Sequence, residues 1–263
     1  MEQINLSHSR ASTFCGMQIK YRDILRAAWK ENFFTARGHI GEAGVNAELQ
    51  NRMTGVEGKG IREEMLSSME ELLPKMDNEQ DQRKLADEFE KIVTSVEYYN
   101  AQIDYTPIRV QEWFGFSMDG NDDKEHPVKG CIDIIAERVD SPLIIDIKYK
   151  SSPIKKDNYD YRMQVALYSL WLMQARNLNQ IPKTEIHVLL SGKAPQIWNV
   201  DVTVEDMYEA IYRLKDLAWR LTNQYFPLAR NHPLCSPRWC GFWDQCHIDN
   251  FQSLDNMLSG IRP

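Results

Sequence analysis

Residues 128–137 and 143–150 are rich in β-branched side chains, with Asp140-Ser141-Pro142 as a breaker between them, and predict a β-hairpin. Successive strand side chains alternate between faces, so Asp146 and Lys148 are expected on one face and Ile145 and Ile147 on the other. Residues 109–118 predict a preceding strand, with 119–127 as its turn. Residues 185–190 and 196–200 predict two later strands. Helical spacing appears at 37–53, where Ile40, Val45, Leu49 and Met53 recur, and at 159–177 and 204–223. Residues 61–103 predict two acidic amphipathic helices broken near Pro74 and Asp77. Ser7, Ser9 and Arg10 stand at the head of an expected N-terminal helix that includes Cys15, and Ile24, Leu25, Ala28 and Phe33 form a stripe expected to pack on the body of the fold. Strands interleaved with helices indicate an α/β or α+β sheet covered by helices.

Three features depart from a plain core pattern. Asp133, Asp146 and Lys148 lie on otherwise apolar strands, where charge costs free energy unless it is paired, solvated or bound to an ion. An ion-paired hairpin face and a metal site both satisfy that requirement. Gly38, Gly41 and Gly44 interrupt a helix in which each glycine costs about 1 kcal/mol against alanine, which points to a close approach by a neighbour. His39 and Glu42 share a face of that helix. On the helix at 159–177, Gln164 and Tyr168 lie one turn apart.

Composition sets the frame. The 263 residues are 43% hydrophobic, enough for a full core. No run of eighteen apolar residues and no signal-like start occur, so a soluble, intracellular protein without membrane contact is expected. The net charge of −7 argues against a nucleic-acid partner only on average. Residues 57–104 hold 13 acidic and 6 basic residues, which accounts for the whole excess. Lys148, Lys150, Lys155, Lys156 and Arg162 follow on the acidic hairpin.

Cysteine spacing adds a second candidate centre. Cys235, Cys240 and Cys246 lie within twelve residues, a pattern that favours metal ligation over disulfides. A fourth thiolate is required, from Cys15 or Cys131. The gaps do not match the close pairs of zinc ribbons, so an iron–sulfur cluster is favoured, walled by Trp239, Phe242 and Trp243. With Cys15 as fourth ligand the cluster would join the two ends of the chain, worth on the order of 5 kcal/mol of loop entropy.

In combination, Gly130-x-x-Asp133, Asp146-Ile147-Lys148 and Gln164-x-x-x-Tyr168 resemble the RecB-type branch of the PD-(D/E)XK nuclease superfamily. The one-plus-three cysteine pattern is similar to its iron–sulfur members, among them CRISPR-associated, AddB-type and phage exonucleases. The resemblance implies an α/β fold with a restriction-endonuclease-like core, a mixed central sheet flanked by helices, and N- and C-terminal segments joined by a [4Fe–4S] cluster on Cys15, Cys235, Cys240 and Cys246. It implies one nuclease domain over 1–263, with 57–104 as an acidic helical insertion and 1–36 and 224–263 as cluster-bearing segments. Asp133, Asp146 and the carbonyl of Ile147 would hold Mg²⁺ or Mn²⁺. Lys148 would orient water or stabilise charge, and Gln164 and Tyr168 would shape the site or touch DNA. The family's Gly-x-x-x-His slot, counted from Gly38, holds Glu42, an oxygen ligand suited to the same ions, with His39 one turn away. The implied activity is DNA hydrolysis, as an exonuclease in phage or bacterial recombination, repair or processing, in the cytoplasm of a bacterium or phage-infected host and with further proteins as possible partners. The competing reading is a nucleic-acid-binding or assembly subunit that has lost turnover.

Overall fold

A computed structural model describes residues 5–13, 15–27, 31–56, 58, 60–117, 127–138, 141–155, 158–229, 235, 240 and 242–246. Its frame is a mixed five-stranded sheet in chain order: β1 (Thr106–Phe116), β2 (Val128–Arg138), β3 (Ser141–Lys150), β4 (Lys183–Leu190) and β5 (Lys193–Val200). β1, β2 and β3 pair antiparallel, β3 and β4 parallel, and β4 and β5 antiparallel. The parallel step needs a crossover, and a helix running Tyr159–Arg176 provides it.

Helices cover both faces. α1 (His8–Ala11) and α2 (Gly16–Ile19) are short and belong to the N-terminal segment. α3 (Phe33–Thr54) is started by the Asn32 side chain, in a capping box with Thr35, and ends at Gly55 with φ 66°, a left-handed conformation that glycine adopts without strain. α4 (Ile61–Leu72) and α5 (Glu79–Asn100) follow, separated by a turn through Pro74 as the sequence predicts. These three helices pack on Ile134, Ala136, Leu143, Ile145 and Ile147 of the sheet. The crossover helix, α6 (Tyr159–Arg176), and α7 (Val204–Thr222) pack on Ile132, Ile135, Ile144, Ile186 and Val188 of the other face.

The α3 glycines find their reasons in side chains. A Cβ on Gly41 would lie 2.9 Å from the Tyr149 ring, and one on Gly44 2.6 Å from the Met65 sulfur, while nothing comes within 4 Å of Gly38. Tight contact therefore explains two of the three.

The N-terminal expectation is corrected. α1 ends at Ala11, and Cys15 does not continue it but stands at the N-cap of α2. The stripe expected to pack on the body of the fold does so in part: Ile24, in a π-type turn at Lys20–Ile24, lies against the core and Phe33 is buried in α3, whereas Leu25 is 53% exposed. Ala28 lies outside the described residues. Ser141 and Pro142, expected in a turn, are part of β3, and Asp140 lies outside the described residues.

Candidate active site

The acidic centre forms where β2 and β3 part. Their register runs from Arg138↔Ser141 to Ile134↔Ile145. One residue further on, the Ile147 N–H donates to the Asp133 side chain, 2.7 Å to Oδ2, so a carboxylate takes the place of a strand neighbour. Asp146 is completely buried, and its Oδ2 lies 2.6 Å from Lys148 Nζ. Its Oδ1 has no hydrogen-bond donor among the described residues. Alternation along β3 thus places Asp146 and Lys148 together as expected, with Lys148 above the Tyr161 ring.

The electrostatics are those of crowded carboxylates. Burial, then the neighbouring Asp146, push Asp133 up to about 8, against the pull of Lys148 and the Ile147 N–H. Burial raises Asp146 as well, with Lys148 working the other way. For Lys148, burial opposes the charge, but Asp146 and Asp133 outweigh it and hold the amine above its usual value. One ammonium therefore faces two carboxylates, the buried Asp146 and the half-buried Asp133.

Glu42 reaches this region from α3. Its Oε1 accepts from the Gln111 amide at 2.6 Å, and it adds to the charge felt by Asp133. His39 is exposed on the same helix. Gln111 was not found from the sequence. It sits on β1 with φ 56°, a left-handed conformation unusual for a strand residue, and its side-chain Oε1 accepts from Cys131 Sγ at 3.2 Å. Periodicity gives no signal for such a kink. Cys131, weighed above as a cluster ligand, is thereby placed in the acidic centre. Burial and the charges of Asp133, Glu42 and Glu112 push its thiol up to about 12.

α6 supplies the wall. Gln164 Nε2 donates to the Tyr168 hydroxyl at 2.7 Å. Burial, then Asp146 and Asp133, keep that hydroxyl protonated well above the usual tyrosine range. The Phe114 ring packs edge-on against Tyr168 and stacks on Trp171. Gly130 makes this possible, since a Cβ there would lie 2.5 Å from the Phe114 ring.

Two of the basic residues after the hairpin are engaged by acids. Lys148 is committed to the acids, Arg162 pairs with Asp206 at 3.5 Å, Lys155 is exposed, and Lys156 lies outside the described residues.

Under the opposite face, buried His187 bridges Glu185 and Tyr99, each at 2.7 Å, and the Tyr99 hydroxyl meets that of Tyr105. This network, unseen in the sequence reading, ties β4 to α5.

Three of the four terminal cysteines share a small apolar cluster. Cys15 packs with Met17, Tyr21 and Phe242, and Cys240 and Cys246 lie against the same group. Gln18 Nε2 lies 3.5 Å from Cys240 Sγ. Cys235 is half-buried, and Trp239 lies outside the described residues. Among the described residues no three His, Cys, Asp or Glu side chains are gathered closely enough to hold a metal, at this cluster or at the acidic centre.

The chemistry of the acidic centre nevertheless suits a hard divalent ion. It offers buried carboxylate oxygens, one of them without a partner, and an excess of negative charge over the single amine.

A mixed sheet covered by helices, parted at two adjacent strands around an acid–acid–lysine centre, is an α/β arrangement. The chain belongs to the PD-(D/E)XK nuclease superfamily, whose family model matches residues 5–247. A crystal structure from Eubacterium rectale, of a protein provisionally described as an exonuclease, is similar with a TM-score of 0.52 at 13% identity, covering 88% of this chain and 86% of that one. Identity at that level shows the fold alone. SSO0001 is more distant, with a TM-score of 0.38, 14% identity and coverage of 78% and 95%. VC1899 from Vibrio cholerae is also distant, with a TM-score of 0.22, 11% identity and coverage of 83% and 56%. Neither carries weight here. No curated protein matches the chain. No helix among the described residues is long and apolar enough to cross a membrane.

Proposed function

We propose that this protein is a metal-dependent deoxyribonuclease, acting as an exonuclease on DNA ends in phage or bacterial recombination, repair or processing. The observation that carries the reading is the pair of Asp133, half-buried, and Asp146, fully buried, with one Asp146 oxygen unpartnered among the described residues beside Lys148. Asp133, Asp146, Glu42 and the carbonyl of Ile147 would hold Mg²⁺ or Mn²⁺. When bound, such an ion polarises a phosphoryl oxygen and makes water a nucleophile near neutral pH. Lys148 is the amine available to orient the attacking water or to stabilise charge on the phosphate. The Tyr168 hydroxyl, fixed by Gln164, is a protonated donor at the same wall.

The terminal cysteines fit a structural [4Fe–4S] cluster. Support comes from the packing of Cys15 with Cys240 and Cys246 around Phe242, which brings the ends of the chain together. Iron content and the broad visible absorbance of anaerobically purified protein test it, and zinc in place of iron would contradict it.

A second reading, a DNA-binding subunit without turnover, is favoured by one arrangement. Glu42 is engaged by Gln111 and Asp146 by Lys148, with no ready-made triad of ligands among the described residues. Incubation of the protein with end-labelled single- and double-stranded DNA and Mn²⁺ separates the two. Cleavage by the wild type that is lost in Lys148→Ala supports the enzyme. Absence of cleavage, or equal cleavage by the variant, contradicts it.

A further inference from the structure

The chain carries 38 Asp and Glu residues, yet among the described residues none lines the cavity beside the acidic centre. This cavity, about 360 Å³, is of the size of ligand sites and shares Cys131, Gln164 and Tyr168 with that centre. Its other lining residues include Trp113 and Lys129. Trp113 is 76% exposed although tryptophan has much apolar surface to hide. Its neighbour on β1, Phe114, turns inward against Tyr168 and Trp171, so the strand alternation itself presents one aromatic to the core and the next to solvent.

The surroundings leave the Trp113 ring bare. Gly115, two residues on and so on the same side of the strand, contributes no side chain. In the β1–β2 register Gly115 faces Lys129 and Trp113 faces Cys131, two residues from Asp133. Arg10 also lines the cavity, but its guanidinium is engaged by Asp23 and the Asn5 carbonyl, each at 2.9 Å. Lys129 is exposed and has no ion pair among the described residues. A flat aromatic surface and a lysine, in a cavity that borders the acidic centre through Cys131, Gln164 and Tyr168 and has no acid among its described lining residues, are the two elements of a site for one nucleotide. An aromatic ring stacks only on a base that is not already stacked in a duplex.

We propose that Trp113 stacks an unpaired base and Lys129 pairs with its phosphate, so that the strand led to Asp133 and Asp146 is single-stranded DNA. This rests on the hydrolytic reading above and adds the substrate class and two binding residues to it.

The test is fluorescence-anisotropy binding in EDTA, where no cleavage occurs, with a labelled oligothymidine and a labelled blunt hairpin duplex. Trp113→Ala is expected to weaken oligothymidine binding roughly tenfold or more, with Trp113→Phe retaining most of the affinity and the duplex little affected. Lys129→Ala is expected to reduce the slope of log affinity against log salt by about one. An unchanged melting temperature in Trp113→Ala excludes misfolding, because the ring is exposed. No binding of oligothymidine by the wild type, unaltered binding by Trp113→Ala, or equal loss on the duplex overturns the proposal. Cleavage is measured separately: Trp113-dependent binding without cleavage removes the nuclease reading and leaves this one standing, and cleavage with Trp113-independent binding does the reverse.

Discussion

At Asp133 the burial of charge becomes a property of the whole protein. The carboxyl is pushed from 3.8 up to about 8, so between these values the folded protein holds a proton that the unfolded chain releases. Stability conferred by that protonation is present at low pH and declines as pH rises toward 8, by on the order of 1.4 kcal/mol per pH unit at most. His8 acts in the opposite sense. Burial, then Arg213 and Lys148, bring it from 6.5 down to about 4, so between those values it releases a proton on folding and stability rises with pH. The two offset each other below pH 6.5, and the decline is expected to emerge between 6.5 and 8. Urea unfolding of metal-free protein across that range checks this, with Asp133→Asn expected to flatten the profile. A profile already flat in the wild type would contradict the burial account. Asp146 and Lys148 were legible because alternation along β3 is regular, and Asp133 because a charge stands on an otherwise apolar strand. Gln111 was not, since its left-handed backbone obeys no periodicity, and neither was the placing of Cys131 beside it.

At the scale of the element, α3 offers a matched pair of substitutions. Gly41→Ala drives a Cβ to 2.9 Å from the Tyr149 ring and is expected to cost about 1–3 kcal/mol. Gly38→Ala meets nothing within 4 Å in the same helix and is expected to stabilise by about 0.5–1 kcal/mol. Thermal melts of both check this, and effects of the same sign would contradict the packing account. Gly130→Ala displaces the Phe114 ring from Tyr168 and is expected to lower stability and, with it, DNA cleavage. The helices and strands themselves were readable from spacing. The caps were not: Asn32 before α3 and Thr203 before α7 both close capping boxes, and α3 begins at Phe33, ahead of the periodic stretch at 37–53. The break between α1 and α2 was missed, because four-residue helices carry too few positions for a period to show.

For the whole molecule, the N-terminal segment joins parts far apart in sequence. Leu6 forms a bridge beside Val128 at the start of β2, and the Gly16 N–H donates to Pro227 at 2.8 Å. A Cβ on Gly16 would lie 2.6 Å from Pro227, so the approach requires glycine. Phe242→Ala is expected to loosen this junction. Hydrogen exchange should then quicken at the Gly16 amide and stay slow in β3 and β4, whereas uniform acceleration would mean that the junction holds up the entire fold. The cysteine spacing left Cys15 and Cys131 as alternatives beside the C-terminal three, and sequence distance gave no way to tell that Cys15 packs with Cys240 and Cys246 while Cys131 lies apart, since the sheet register places Cys131. The central claim is that Asp133 and Asp146 form a divalent-ion site, and the most direct measurement is a Mn²⁺ titration read by electron paramagnetic resonance of the free ion. Wild-type protein is expected to deplete free Mn²⁺ and Asp146→Asn to bind it at least tenfold more weakly, whereas equal binding by the two proteins would contradict the assignment.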